Sequence, residues 1–131
     1  MPVINLLPHQ KRTLASAADE VIQSGSFGSG KTLTLCYKIV FLLTRYGKNR
    51  GFLCRKTLQS LKTTTLRTLL DGDGNVPPAL PPEYIVSHNK QDRLITLVNG
   101  SELYYGNMDR EFIKSMNFGF AAVDELSEIA E

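Results

Sequence analysis

The segment "QSGSFGSGKTLTL", residues 23–35, decides how the rest of this sequence is interpreted. It contains two glycines followed by Lys31 and Thr32 in the spacing G-x-x-x-x-G-K-[ST]. Glycine lets successive backbone N–H groups turn inward around an anion, and a helix opening at Lys31 adds the positive end of its dipole. The pattern predicts a phosphate-binding loop, with a glycine-rich turn and a surface lysine as the alternative. The predicted loop residues are Gly25, Ser26, Phe27, Gly28, Ser29, Gly30, Lys31 and Thr32.

A second segment supplies the acidic groups that such a loop needs for chemistry on a triphosphate. "FAAVDE", residues 120–125, is an apolar run that ends in Asp124 and Glu125. In a loop of this kind, Lys31 would reach the β- and γ-phosphates, and Thr32 and Asp124 would hold Mg²⁺, Asp124 indirectly. Glu125 would polarise the attacking water. Together the two segments predict an Mg²⁺-dependent nucleoside triphosphatase.

Composition indicates one ordinary soluble domain. The chain has 131 residues, of which 42% are apolar and 21% charged. Cys36 and Cys54 form no metal or disulfide spacing, so we expect two reduced, partly buried thiols. The longest apolar run, residues 39–43, is too short to cross a bilayer, and residues 1–8 lack the pattern of a secretory signal. We therefore expect a cytoplasmic protein without membrane association.

Charge is unevenly distributed along the chain. Residues 21–70 contain nine Lys and Arg and no Asp or Glu, whereas the formal net charge of the whole chain is only +2. A basic block of this kind favours polyanions such as nucleotides or a nucleic-acid backbone. A solvated surface without a partner remains the alternative.

Hydrophobic periodicity and turn residues predict an α/β order of elements. We expect helices over 9–20, 31–45, 57–70 and 109–115, strands over 20–25, 51–55 and 118–125, and a hairpin over 93–105 with a type I′ turn at Asn99-Gly100. This order predicts a P-loop NTPase core, built as a three-layer sandwich around a mostly parallel sheet. Since the sequence stops six residues after Glu125, we expect the fold to be incomplete at its C-terminus.

Two further positions have open interpretations. Gln10 lies fifteen residues before Gly25, where an amide could read the adenine edge; an ordinary surface glutamine is equally compatible. Arg55 closes the predicted strand 51–55. It could sense the γ-phosphate, act as a finger toward a neighbouring subunit, or be a simple charge at a strand end.

Several segments together resemble the N-terminal ATPase region of tailed-phage terminase large subunits, the motors that package viral DNA. They are "HQKRTL", "GSFGSGKT", "GFLCRKTLQSLKTTTL", "NGSELYYGNMDREFIKSMNFG" and "FAAVDELSEIAE", and they extend from Pro8 to Glu131. The resemblance implies ATP as the nucleotide, with adenine contact by Gln10, phosphate binding by 25–32, metal coordination through Asp124 and catalysis by Glu125. The arginine that some terminases carry inside the loop is absent from residues 26–29, so a finger would come from elsewhere, for example Arg55.

The resemblance also implies which partners the chain has and which activities it lacks. Double-stranded viral DNA, a portal protein, a small terminase subunit and further copies of the chain are the implied partners, on the procapsid in the host cytoplasm. We interpret residues 1–131 as a partial terminase-like ATPase domain without the nuclease domain, so we expect no DNA cleavage and weakened ATP hydrolysis. Another nucleic-acid-dependent ATPase such as a helicase, or an inactive prophage-derived fragment, are the alternatives.

Overall fold

The computed structural model describes residues 18–23, 29–55, 57–72, 74–107 and 110–124. These residues form an α/β fold with six strands and three helices, besides a short 3₁₀ turn at Pro82–Tyr84. The strands are β1 (Ala18–Gln23), β2 (Arg50–Cys54), β3 (Ile85–Asn89), β4 (Leu94–Leu97), β5 (Glu102–Gly106) and β6 (Phe118–Val123). The helices are α1 (Ser29–Arg45), α2 (58–70) and α3 (Arg110–Ser115).

The strands form one mixed, mostly parallel sheet in the order β1-β6-β2-β5-β4-β3. The first four strands of this order are parallel, whereas β4 runs antiparallel to both of its neighbours. The central strands β2 and β6 are buried along most of their length, as expected for parallel strands covered on both faces. Because Gln23 pairs with Val123, the carboxyl ends of β1 and β6 lie side by side. The predicted mostly parallel α/β sheet is therefore confirmed.

Helices cover the sheet on two sides. On one face, α1 and α2 bury Leu35, Ile39 and Leu61 against sheet residues such as Leu53. On the other face, an aromatic cluster gathers around Phe52, and Ile113 of α3 packs into it. This packing holds both helices of the first face against the central strands. No helix in the described part of the chain is long and apolar enough to cross a membrane.

The hairpin between β4 and β5 forms, but its turn differs from the prediction. A type I′ turn needs positive φ at both central residues, and in this loop only Gly100 has it, with φ 88°. The loop instead has three residues, 98–100, because Leu97 N–H donates to the Ser101 carbonyl at 2.9 Å. Asn99 Nδ2 donates to the Leu43 carbonyl at 2.8 Å, and Ser101 Oγ donates to the same carbonyl at 2.7 Å. The loop residues therefore satisfy a carbonyl at the end of α1 that has no partner within the helix.

One further prediction needs correction, and one strand of the sheet was not predicted. The helix expected over 9–20 is wrong at its end, since residues 18–20 begin β1; its remaining residues lie outside the described part. Pairing with β6 outweighs the helix propensity of these residues. Strand β3 was not predicted, because its edge position leaves Val86 62% exposed and gives the segment little hydrophobic pattern.

Helix α2 matches the predicted helix over 57–70 but is not regular. Its first turn, Leu58–Ser60, is α-helical and begins with Thr57, whose side chain accepts a hydrogen bond from Ser60 N–H. The segment Leu61–Thr65 is a π-helix, and Leu66–Leu70 returns to α-helical geometry. Short π segments inside α-helices are frequent at functional sites.

Candidate functional site

The site is built around Asp124, the residue that follows β6 at the carboxyl end of the sheet. Asp124 N–H donates to the Cys54 carbonyl at 3.1 Å, which extends the pairing of β6 with β2 by one residue. The Asp124 residue is only 1% exposed. A buried carboxylate is expensive unless hydrogen-bond donors or cations surround it, so its neighbours are informative.

Helix α1 brings Thr32 to this carboxylate. The helix begins at Ser29, two residues earlier than predicted, and Thr32 lies in its first turn. Thr32 Oγ1 donates to Asp124 Oδ2 at 3.2 Å across 92 residues of sequence. The two residues assigned to the metal from sequence are therefore in direct contact.

Arg55 follows β2 and approaches the same carboxylate oxygen. Its Nη1 atom lies 3.9 Å from Asp124 Oδ2, and the two side chains are 6% and 1% exposed. Nη1 also donates to Thr64 Oγ1. Removing one partner of a charged pair this deeply buried strongly destabilises the folded state, because the remaining charge has no counter-charge. The structure thus places Arg55 in the interior of the site.

The π-helical segment of α2 contributes two residues that the sequence interpretation did not assign. Thr65 is 0% exposed, and its Oγ1 donates to Asp124 Oδ2. Its neighbour Thr64 accepts from Arg55. The available signal was the run of three threonines, residues 63–65, because β-branched side chains that bond to their own backbone are unfavourable inside a helix without a specific use.

Both cysteines are free thiols next to this carboxylate, and both are fully buried, more so than expected. Burial, and to a lesser extent the charge of Asp124, raises the pKa of Cys36 and of Cys54 to about 12. Cys36 Sγ donates to the Thr65 carbonyl at 3.6 Å. The thiols are therefore protonated packing groups, not nucleophiles.

The donor set around Asp124 is compatible with Mg²⁺ held together with a phosphate ligand. Within the described ranges no group of three or more His, Cys, Asp or Glu side chains could hold a metal by itself. Mg²⁺ commonly binds through one or two carboxylates, several waters and substrate phosphates, without an all-protein cage. One carboxylate and one hydroxyl, Asp124 and Thr32, match that requirement.

The structure describes the other predicted site residues only in part or not at all. Ser29, Gly30 and Lys31 form the first turn of α1, and their side chains lie outside the described part. The predicted residues Gln10, Gly25, Ser26, Phe27, Gly28 and Glu125 also lie outside it. Their roles remain predictions.

The chain matches the model of the family described as "Terminase large subunit, T4likevirus-type, N-terminal". It extends over residues 22–131, most of the chain. The chain belongs to this terminase family. No curated protein and no solved structure matches the chain. Membership indicates a bacteriophage DNA-packaging terminase, and the matched range of this terminase chain contains Thr32, Arg55, Thr65 and Asp124.

Proposed function

We propose that this terminase chain binds and hydrolyses ATP with Mg²⁺ as the motor part of a viral DNA-packaging machine. The observation that carries the proposal is the contact between Thr32 Oγ1 and Asp124 Oδ2. It lies beside the first turn of α1 and the carboxyl ends of β1 and β6. The first-turn N–H groups of a helix lack intrahelical partners and favour anions, so phosphate and metal ligands are available at one place.

Each residue then has a distinct task. The loop 25–32 would hold the phosphates through its N–H groups, and Lys31 would neutralise the β- and γ-phosphate charge. Thr32 and Asp124 would hold Mg²⁺, which when bound polarises the phosphate oxygens. Glu125 would orient and deprotonate the attacking water. These residues together give the proposed core the features of a P-loop NTPase.

Of the three roles that the sequence left open for Arg55, we retain only one in this proposal. An arginine finger toward another subunit must be solvent-accessible, whereas Arg55 is 7% exposed and faces Asp124. We assign it to sensing within its own chain, where it would respond to the charge that arrives with the γ-phosphate. Gln10 remains the proposed adenine contact.

The proposed partners follow from the terminase family. They are double-stranded viral DNA, a portal protein, a small terminase subunit and further copies of the same chain, in the host cytoplasm on the procapsid. A helicase is not favoured, because the family match is to terminases. An inactive prophage-derived fragment differs from the proposal only in activity, and an activity measurement separates the two.

The test is Mg²⁺-dependent ATP binding and hydrolysis by three single variants of the full chain. Lys31→Ala should abolish ATP binding, and Glu125→Ala should preserve binding while stopping hydrolysis. Lys38→Ala is the matched control, because Lys38 is an exposed lysine of the same helix. Binding by Lys31→Ala as tight as that of the parent would refute the site. A parent that binds ATP without hydrolysing it would support the inactive fragment.

A further inference from the structure

A second concave site lies on α2, separate from the Asp124 carboxylate. It is a cleft of about 380 Å³ between α2 and the β3–β4 hairpin. Three cationic side chains line it, Lys62 and Arg67 from α2 and Lys90 from the turn after β3. All three are exposed, so their charges are available to a ligand from solvent.

Most of the other residues that line the cleft are apolar or aromatic. Leu66 and Leu70 lie one and two helical turns after Lys62 on the same side of α2, and they form part of an apolar floor. His88 also lines the cleft, and its Nε2 lies 2.7 Å from the Tyr105 hydroxyl. Burial, together with the charge of Lys90, lowers the pKa of His88 below its usual value.

One acidic residue, Asp71, also lines the cleft, so its charged groups are three cations and one anion. Lys62 and Arg67 belong to the acid-free block 21–70, whereas Lys90 comes from a different part of the sequence. The fold therefore adds a third positive charge to the basic block. Several cationic side chains along one concave surface suit a chain of phosphates, since Lys and Arg neutralise the phosphates and release their counterions.

We propose that this cleft binds the phosphodiester backbone of a nucleic acid, with Lys62, Arg67 and Lys90 each contacting a phosphate. The proposal rests on the DNA-packaging part of the proposed function and names a surface of this chain for it. It does not depend on ATP binding, because Thr32, Arg55 and Asp124 are not among the residues that line the cleft.

The experiment measures the salt dependence of DNA affinity for matched charge variants of the full chain. The cleft variant is Lys62→Gln with Lys90→Gln, and the control is Lys38→Gln with Lys48→Gln, which removes two exposed lysines outside the cleft. Each phosphate contact contributes about 0.9 to the slope of log K against log salt for duplex DNA. We expect the cleft variant to lose about 1.8 from the slope and the control to keep the slope of the parent.

Further variants and ligands make each outcome decisive. Arg67→Gln alone should lower the slope by about 0.9. Duplex and single-stranded oligonucleotides of one sequence distinguish the two sources of phosphodiester, and a reduced slope with either supports the cleft. The parental slope in the cleft variant, an equal loss in the control, or a parent that binds neither oligonucleotide overturns the proposal.

A poly-glutamate peptide tests whether the cleft binds an acidic protein segment in place of a nucleic acid. If the cleft variant loses affinity for this peptide but keeps its DNA slope, the cleft takes an acidic protein segment, and the proposal is overturned. Failure of ATP binding, in contrast, would refute the nucleotide site while leaving the DNA slopes unaffected.

Discussion

Replacing Thr65 by valine tests whether the π-helical segment supports the carboxylate of the site. Valine has nearly the shape of threonine, so the change removes the hydroxyl from a residue of 0% exposure without creating a cavity. Asp124 Oδ2 then loses one donor and retains Thr32 at 3.2 Å and Arg55 at 3.9 Å. The substitution therefore isolates one hydrogen bond to a buried charge.

The size of the effect follows from this geometry. A hydrogen bond to a charged group contributes about 1.5–3 kcal/mol to stability. Because two other groups remain on the oxygen, we expect the lower part of that range, about 1.5–2 kcal/mol. With a urea dependence of about 2 kcal/mol per molar, the unfolding midpoint should fall by about 1 M. The sign is informative by itself, since valine in place of an unbonded buried threonine would be neutral or stabilising.

The assay is urea unfolding of the full chain, with Thr63→Val as the matched control. Thr63 lies in the same π segment but is exposed, and its hydroxyl bonds only to the helix backbone, at 3.1 Å from the Gln59 carbonyl. Exposed substitutions of this kind change stability by about 0.5 kcal/mol or less. Equal midpoints for the two variants, or a more stable Thr65→Val, would show that the hydroxyl of Thr65 does not support Asp124.

Two more predictions concern buried residues of the core. Gly51→Ala should destabilise the fold by about 1–3 kcal/mol, because a Cβ there would lie 2.2 Å from Cζ of the buried Phe120 ring; a lower melting temperature checks this. Cys36 and Cys54 should resist alkylation in the folded chain at pH 9 and react after unfolding, since their folded pKa is about 12 against an ordinary 9.0. Their contribution to stability is complete below pH 9 and is lost between pH 9 and 12, because only the unfolded thiols ionise there. Equal alkylation rates for the folded and the unfolded chain would contradict the burial of the two thiols.

The elements that the sequence predicted well are those with strong local signals. Helix α1 and strands β2 and β6 have dense apolar patterns, and each lies within one or two residues of its predicted bounds. The contact between Thr32 and Asp124 was foreseeable for a related reason. Residues at the carboxyl ends of parallel strands and at the start of the following helix meet at one edge of the sheet.

What the sequence could not predict depends on contacts between distant segments. Residues 18–20 have helix-forming side chains, and only pairing with β6 makes them a strand. Asn99 and Gly100 favour a two-residue turn, but the bond from Asn99 to the Leu43 carbonyl belongs to a longer loop docked on α1. The threonine run 63–65 signals a specific use, but the role of Thr65 depends on a carboxylate 59 residues away, which the run does not identify.

Helix α2 gives the two proposed sites a physical connection. Its π segment places Thr65 on Asp124 and Lys62 in the cleft, so one short stretch of backbone contacts both. A ligand in one site changes affinity at the other only if it interacts differently with two arrangements of the shared element, and the effect is then equal in both directions. The groups that can change are few, since Thr32, Thr65 and Arg55 all converge on one oxygen of Asp124. Of these groups, Thr65 lies in the same π segment as Lys62, so its bond to Asp124 joins the carboxylate directly to the helix that lines the cleft.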